Sequence, residues 1–376
     1  VSFFPQLIAG PIIYHSEVKS QYANLHLPKR IYNNISLGIC IFVLGLFKKV
    51  VIADTLSDYS DPIFLANAEG NKLVFIEAWI GILSYTFQLY FDFSGYSDMA
   101  VGLAKLFGIN FPFNFNSPFK AKNIIDFWKR WHITLSRFIN DYLFTNIAIR
   151  FLRFSMKKNL TNFNFLLSIA LPVIITFSLS GIWHGSSWNF LLWGTLHGFY
   201  IIICYLWGMF CTSVKIEPFK NSIYKIFSIL LTFLAVTLSF VPFRAESIES
   251  SISFYLSLIP VKDISLPNEL IGNWEEFFNP ILNLIPYFNF KFDGEYVLTV
   301  NQTQDSIIFI IISCFIIWVL KNSNSFVEIK KNNLIFRDFR KYKINNLGLY
   351  FIYFLLLFSF LSMLNTEMIP YVYFQF

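Results

Sequence analysis

Charge is scarce in this chain, and so are the local signatures of soluble enzymes. Only 14% of its 376 residues are Asp, Glu, Lys or Arg, against 55% hydrophobic, and the mean hydropathy is +0.54. A soluble domain needs one apolar core under a charged surface, so this balance reads as a membrane protein. No Gly-x-Ser-x-Gly elbow, His-Glu-x-x-His pair, Walker loop or dinucleotide fingerprint occurs. A serine hydrolase, a metalloprotease and an ATPase are therefore unsupported. Cysteine is sparse as well. Cys40, Cys204 and Cys314 lie within apolar runs and Cys211 near the end of one, with no paired spacing for a zinc site or a disulfide framework. All four read as packing residues. The opening Val1-Ser2-Phe3-Phe4-Pro5-Gln6 has neither an initiating Met nor the basic region and cleavage site of a signal peptide, so the sequence reads as truncated at its start.

What is abundant is aromatic and aliphatic. Nine Trp, nineteen Tyr and forty-seven Phe suit interfacial belts and packed helix bundles. Apolar runs of about 20 residues, enough to span a bilayer, lie near 31–53, 73–91, 164–181, 188–210, 223–243, 304–320 and 346–364. Residues 98–108 form a shorter apolar helix and 124–149 mix apolar with charged residues, so both read as re-entrant or enclosed by the bundle. The fold class expected is all-α: a multi-pass transmembrane helical bundle with re-entrant or broken helices around a central cavity. Residues 1–376 form a single integral membrane domain.

A net charge of +6 does not imply nucleic acid, because the basic residues sit in short stretches between apolar runs. That is the positive-inside pattern. Arg150, Arg153, Lys157 and Lys158 occur without an intervening acid, and the 321–343 loop carries Lys321, Lys330, Lys331, Arg337, Arg340, Lys341 and Lys343. Both loops read as cytoplasmic, and the 211–225 loop with Lys215, Lys220 and Lys225 agrees. The acidic 244–305 loop, with Glu246, Glu249, Asp263, Glu269, Glu275, Glu276, Asp293, Glu295 and Asp305, falls on the outer side.

Five histidines are present, and two carry the functional reading. His184 stands in Gly181-Ile182-Trp183-His184-Gly185, at the break between two long apolar runs. An ionisable group at membrane depth is a functional candidate by default. A histidine can also serve as polar glue between helices, but glycines on both sides break the helix and admit a close approach of backbone or substrate. A neutral imidazole in such a cavity suits a general base toward a hydroxyl. His132 belongs to Asp126-Phe127-Trp128-Lys129-Arg130-Trp131-His132. One reading is an interfacial anchor; the other is that Lys129, Arg130 and Arg137 hold a phosphorylated, anionic donor while His132 faces the reaction path. His197, thirteen residues after His184, reads as a packing or supporting residue, and His15 and His26 as solvated or interfacial. Phe91-Asp92-Phe93-Ser94-Gly95-Tyr96-Ser97-Asp98 puts two carboxylates around a Ser-Gly turn, with Ser97 or Asp98 capping the helix that follows. Asp92 is costly in lipid unless it faces a polar cavity.

Taken in order, several segments resemble one family. They are Phe4-Pro5-Gln6-Leu7-Ile8-Ala9-Gly10-Pro11, Phe47-Lys48-Lys49-Val50-Val51-Ile52-Ala53-Asp54, Gln88-Leu89-Tyr90-Phe91-Asp92-Phe93-Ser94-Gly95-Tyr96-Ser97-Asp98-Met99-Ala100, Phe127-Trp128-Lys129-Arg130-Trp131-His132-Ile133, Trp183-His184-Gly185, Val241-Pro242-Phe243-Arg244-Ala245 and Tyr373-Phe374-Gln375-Phe376. Together they resemble the membrane-bound O-acyltransferases, in the bacterial branch that holds the alginate O-acetyltransferases and the D-alanyl transfer proteins of teichoic acids. The resemblance implies a catalytic histidine at His184 and a second functional histidine at His132. Lys129, Arg130 and Trp183 become donor or substrate contacts, and Asp92 and Asp98 shape the cavity. It implies no bound cofactor and no metal, with acetyl-CoA as the donor substrate. The implied partners are a polysaccharide acceptor, membrane lipid and an extracytoplasmic acetyltransferase or esterase-like protein, in a bacterial inner membrane. It also implies that members begin well upstream, so that several N-terminal spans are missing.

One departure matters. After Arg137 the chain reads Phe138-Ile139-Asn140-Asp141-Tyr142-Leu143-Phe144, where alginate enzymes resemble Arg-Asp-Tyr-Leu-Tyr followed by a Gly-Gly-Asn-Arg turn. Asn140 replaces the family Arg, which favours another exported glycan, such as peptidoglycan or a capsular polysaccharide. Transfer of D-alanine or another acyl group to teichoic acid or lipid is the alternative. A transporter without covalent chemistry is a third reading, which inverted repeats would favour; none is visible.

Overall fold

In the computed structural model of the chain, residues 4–6, 10–23, 31–160, 163–259, 263–267, 289–294, 296–323, 346–365 and 370–371 are described. His26, most of the basic 321–343 loop, Glu269, Glu275, Glu276, Glu295 and the closing Tyr373-Phe374-Gln375-Phe376 lie outside them. The helices in chain order are α1 (His15–Ala23), α2 (Ile31–Phe47), α3 (Asp54–Ala68), α4 (Phe75–Leu106), α5 (Ile124–Trp128), α6 (Ile133–Ile139), α7 (Thr145–Lys157), α8 (Leu171–His184), α9 (Trp188–Ser213), α10 (Ser222–Arg244), α11 (Ile248–Ser257), α12 (Val300–Trp318) and α13 (Asn346–Asn365). Between α11 and α12, strands β1 (Asp263–Pro267) and β2 (Asn289–Gly294) form a short parallel pair with Ile264 opposite Phe290. This small ladder is an addition to the helical bundle expected from the sequence.

Among the described residues, five helical stretches are long and apolar enough to cross a membrane: Asn34–Ala68, Leu166–His184, Trp188–Ser213, Ser222–Arg244 and Val300–Trp318. A shorter apolar helix covers Gly348–Leu364. Their outer faces are apolar and uncovered, as at Ile203, Leu206, Trp207, Met209 and Phe210 of α9. In water such a surface is an aggregation hazard; in a bilayer it is the lipid face, and the chain is a multi-pass membrane protein.

The first span differs from expectation. Rather than ending near residue 53, the apolar run passes through a π-helical turn, Lys48–Ala53, straight into α3. A π-turn inserts an extra residue into the helical ladder and re-aims the side chains around it. Here it turns Lys49 inward, where it is buried.

Helix α4 corrects a second expectation. The Ser-Gly turn predicted near Ser94-Gly95 does not exist, and a single 32-residue helix runs from Phe75 to Leu106. At about 1.5 Å per residue it is long enough to cross the hydrocarbon layer. Gly95 serves close approach instead of a bend. A Cβ built on Gly95 would stand 2.7 Å from the Gly45 carbonyl oxygen, and one on Gly45 would stand 2.5 Å from the Gly95 carbonyl oxygen. Seven residues away on each helix, Gly38 and Gly102 repeat the arrangement at 2.8 and 2.7 Å. Small residues that let backbones touch are a standard means of joining helices in lipid, where no hydrophobic force drives association. The N-terminal end of α4 is tied separately: the buried Glu77 carboxylate accepts the backbone N–H groups of Val297 (2.7 Å) and Leu298 (3.1 Å) at the entry to α12.

Candidate active site

His184 is the last residue of α8, and the close contact of α8 with α9 sets its position. A side chain on Gly181 would collide with the Phe190 carbonyl, and one on Gly194 with the Phe177 carbonyl. Gly181 therefore packs two backbones together and does not break the helix, which continues to His184. The chain then crosses Gly185 in an extended conformation (φ 170°) and re-enters helix at α9, whose N-terminus Ser187 caps by accepting the Asn189 N–H. Asn189 also donates through Nδ2 to the Ala245 carbonyl (2.6 Å), fixing the start of α9 to the end of α10. Around the buried His184 ring, Trp193 and Phe243 stand edge-on at 5.1 and 5.4 Å between centroids, with Trp183 at 5.0 Å.

His132 arrives from the other side. It precedes α6 with φ 42° and ψ 54°, a left-handed conformation that costs a non-glycine residue about 1–2 kcal/mol. Such strain persists only where the surroundings hold it. The holding segment is the extended stretch around Asn114. The Asn114 carbonyl accepts the Ile133 N–H (2.9 Å), and Asn116 N–H donates to the Arg130 carbonyl (2.9 Å). The Asn114 side-chain oxygen faces His132 Nδ1 at 3.3 Å, and Phe93 of α4 lies edge-on to the imidazole at 4.7 Å.

The two histidines, 52 positions apart in sequence, line one cavity of about 300 Å³, its mouth included. Its remaining walls are Leu89, Trp128, Trp131, Leu135, Trp193, Phe240 and Phe243. Among the described residues that line it there is no carboxylate and no cation, and the two imidazoles are the titratable groups. An apolar, aromatic wall around a few converging polar groups is what a small-molecule or reaction site is built from.

His197 supports this wall. Its Nδ1 accepts the Trp128 indole N–H (3.3 Å) and its Nε2 meets the Ser239 hydroxyl at 2.9 Å, which itself donates to the Val236 carbonyl (2.6 Å). Both ring nitrogens are engaged and the residue is fully buried, in keeping with a supporting role that orients Trp128 toward the cavity.

The charged candidates fall elsewhere. Asp92 and Asp98 lie inside α4, and neither lines the cavity. Lys49 bridges Asp54 and Asp92, each at 2.7 Å, and Lys48 pairs with Asp98 at 2.7 Å. The Lys49 ammonium also stands 4.7 Å over the Tyr371 ring. Buried charge is tolerated when it is paired, and this cluster locks the π-turn to α4. Arg130 is bonded to Asp126 (2.8 Å) and to the Asn116 carbonyl (3.3 Å). Arg137 forks onto Glu17 of α1 and stacks 4.3 Å over the Tyr14 ring, so its guanidinium braces the N-terminal segment against α6 and is already occupied. Tyr14 in turn donates to Asp141 (3.0 Å), and burial together with that carboxylate pushes its hydroxyl up to about 12. Lys129 is exposed, as is Trp183. No spacing or motif in the sequence marks Asn114 or Glu77.

Comparison with known proteins agrees with the architecture. A model of the membrane-bound O-acyltransferase family matches residues 1–241. Over 282 residues the chain is 42% identical to the peptidoglycan O-acetyltransferase of Helicobacter pylori, covering 75% of this chain and 49% of that protein. It is 34% identical over 267 residues to a probable alginate O-acetylase of Azotobacter vinelandii, covering 71% of this chain and 48% of that protein. It is 29% identical over 250 residues to the teichoic acid D-alanyltransferase of Streptococcus thermophilus, with 64% of this chain and 59% of that protein covered. The chain spans about half the length of the first two relatives. With membrane-spanning helices, two histidines on one cavity and a family match over most of its length, the chain belongs to the membrane-bound O-acyltransferase family.

Proposed function

We propose that the protein is an acyltransferase that moves acetyl from acetyl-CoA, a cytoplasmic thioester donor, toward a hydroxyl of an exported cell-envelope polysaccharide, from the bacterial inner membrane. The observation that carries this reading is the meeting of His184 and His132 on one apolar cavity. In the reaction, an acceptor oxygen attacks the thioester carbonyl carbon, the new C–O bond forms, the C–S bond breaks and the thiol leaves. His184 takes the proton from the attacking hydroxyl and returns it to the departing sulfur, a role suited to a neutral imidazole. His132 orients or assists. Aromatic walls keep water out, which favours transfer over hydrolysis of the thioester. Exposed Lys129 is available to a phosphorylated donor at the membrane surface, whereas Arg130 contributes from its Asp126 pair. Trp183, exposed and edge-on to His184, is the residue we assign to contact the substrate beside that histidine.

Peptidoglycan is the acceptor favoured by the 42% identity to the Helicobacter pylori protein and by Asn140 in place of the family Arg, and an extracytoplasmic acetyltransferase or esterase-like partner would complete delivery. A second reading, D-alanine passed to teichoic acid, rests on the Streptococcus thermophilus relative. O-acetyl content of envelope glycans in cells carrying the full-length protein, compared with a His184→Ala strain at matched membrane levels, separates them. Loss of acetyl from one glycan fraction supports the proposal and names the acceptor. Unchanged acetylation in every fraction overturns it and moves weight to D-alanyl transfer or transport.

A further inference from the structure

Asn114 is 1% exposed and stands in the sequence between the buried Phe113 and Phe115. Its Nδ2 has no hydrogen-bond partner among the described residues, a loss of about 1–3 kcal/mol for a buried donor. An amide kept at that expense should be doing something with its oxygen. That oxygen is within reach of three groups: the Thr134 hydroxyl (2.5 Å), the Thr134 backbone N–H (3.3 Å) and His132 Nδ1 (3.3 Å).

One of the three decides the rest. A backbone N–H can only donate, so the atom facing Thr134 must be the amide oxygen and not the nitrogen. The Thr134 hydroxyl accepts the Ile12 N–H (3.0 Å), which leaves its own proton for Asn114. With the oxygen fixed as an acceptor, His132 can meet it only by donating from Nδ1. In a neutral imidazole the other nitrogen, Nε2, then carries the lone pair.

We propose that Asn114 is a positioning residue that holds His132 in the Nδ1-protonated tautomer, leaving Nε2 as the nitrogen on which His132 can accept a proton. This rests on the functional reading above only for its catalytic consequence; the tautomer itself stands on the geometry. It also accounts for the left-handed turn at His132, which brings the ring back onto the segment that carries Asn114. Hydrogen bonds that set which imidazole nitrogen is free are a recurring device of histidine sites.

Several groups among the described residues surround His132. Across the cavity it faces His184; from α4 it meets Phe93; and Asp92, the neighbour of Phe93, is committed to Lys49. On its own segment, Arg130 is paired with Asp126, Arg137 with Glu17, and Lys129 is exposed.

The test is nitrogen NMR on full-length protein carrying ¹⁵N-histidine, with the His132 resonances identified by their absence in His132→Gln. The expected result at neutral pH is a protonated Nδ1 and an unprotonated Nε2. Asn114→Leu, close in volume but without the acceptor, should shift His132 to the Nε2-protonated form or a mixture. Asn114→Asp should keep Nδ1 protonated and raise proton affinity at Nε2 about tenfold or more, because a carboxylate now faces the ring. Finding Nε2 protonated in the wild type, or identical His132 signals in all three proteins, overturns the inference. If Asn114→Leu fails to accumulate, the wild type and Asn114→Asp still decide it. Acetyl transfer measured on the same membranes tests the functional reading separately, since the tautomer can be as inferred whether or not acetyl moves. When transfer is present, the acid limb of its pH profile should move upward in Asn114→Asp, which a merely structural Asn114 would not produce.

Discussion

Replacing Lys49 with Met removes a cation that two buried carboxylates share. Asp54 and Asp92 each lie 2.7 Å from its Nζ, and all three side chains are less than a tenth exposed. Breaking a buried pair by deleting one partner costs about 3–5 kcal/mol, because the remaining charge stays desolvated. Here two buried carboxylates lose the ammonium they share, so the upper part of that range applies. Scaled to a chain of this size, at about 1–2 °C per kcal/mol, the apparent melting temperature in detergent should fall by about 5 °C or more. The triple variant Lys49→Met, Asp54→Asn, Asp92→Asn removes the stranded charges and should recover most of that loss. A melting temperature within about 2 °C of wild type for Lys49→Met alone, or a triple variant worse than the single one, would refute the view that this cluster is a paired lock between the π-turn and α4.

Other consequences follow from packing and pairing. Gly181→Val should displace α8 against the Phe190 carbonyl, lowering the melting temperature by an overpacking cost of about 1–3 kcal/mol and reducing any acyl transfer with it. Gly208→Val on α9 is its control: a Cβ there meets nothing within 4 Å, and the same assays should show no change. Arg137→Ala should free the 10–23 segment, seen as faster limited proteolysis there, while leaving the apparent affinity for an anionic donor unchanged; a weakened affinity would return Arg137 to the donor site.

Much of the bundle was legible because membrane spans are written in composition. The stretches read near 164–181, 188–210, 223–243, 304–320 and 346–364 correspond to α8, α9, α10, α12 and α13. Glycine misled the reading twice. Gly95 and Gly181 looked like breaks, but each removes a side chain where two backbones meet, and only the partner helix reveals which use a glycine serves. The carboxylates misled it for a related reason. Asp92 looked like a cavity residue because its partner, Lys49, is 43 positions away and turned inward by a π-turn that no local pattern announces. His184 was legible through the expense of an ionisable group at membrane depth and His132 through its cationic, aromatic segment and the family resemblance, whereas Asn114 was not. A lone amide in a coil carries no periodicity, and its importance appears only once Thr134 and His132 are seen to share its oxygen.

The central claim is that His184 and His132 act as one site on one cavity. Its most direct test is transfer of labelled acetyl from acetyl-CoA into envelope glycan by membranes holding the full-length protein, His184→Ala, His132→Ala or the double variant. Residues that act as a unit lose activity non-additively. Each single variant should lose most of the transfer and the double should be little worse than either. Full transfer in either single variant, or losses that multiply in the double, would contradict the account.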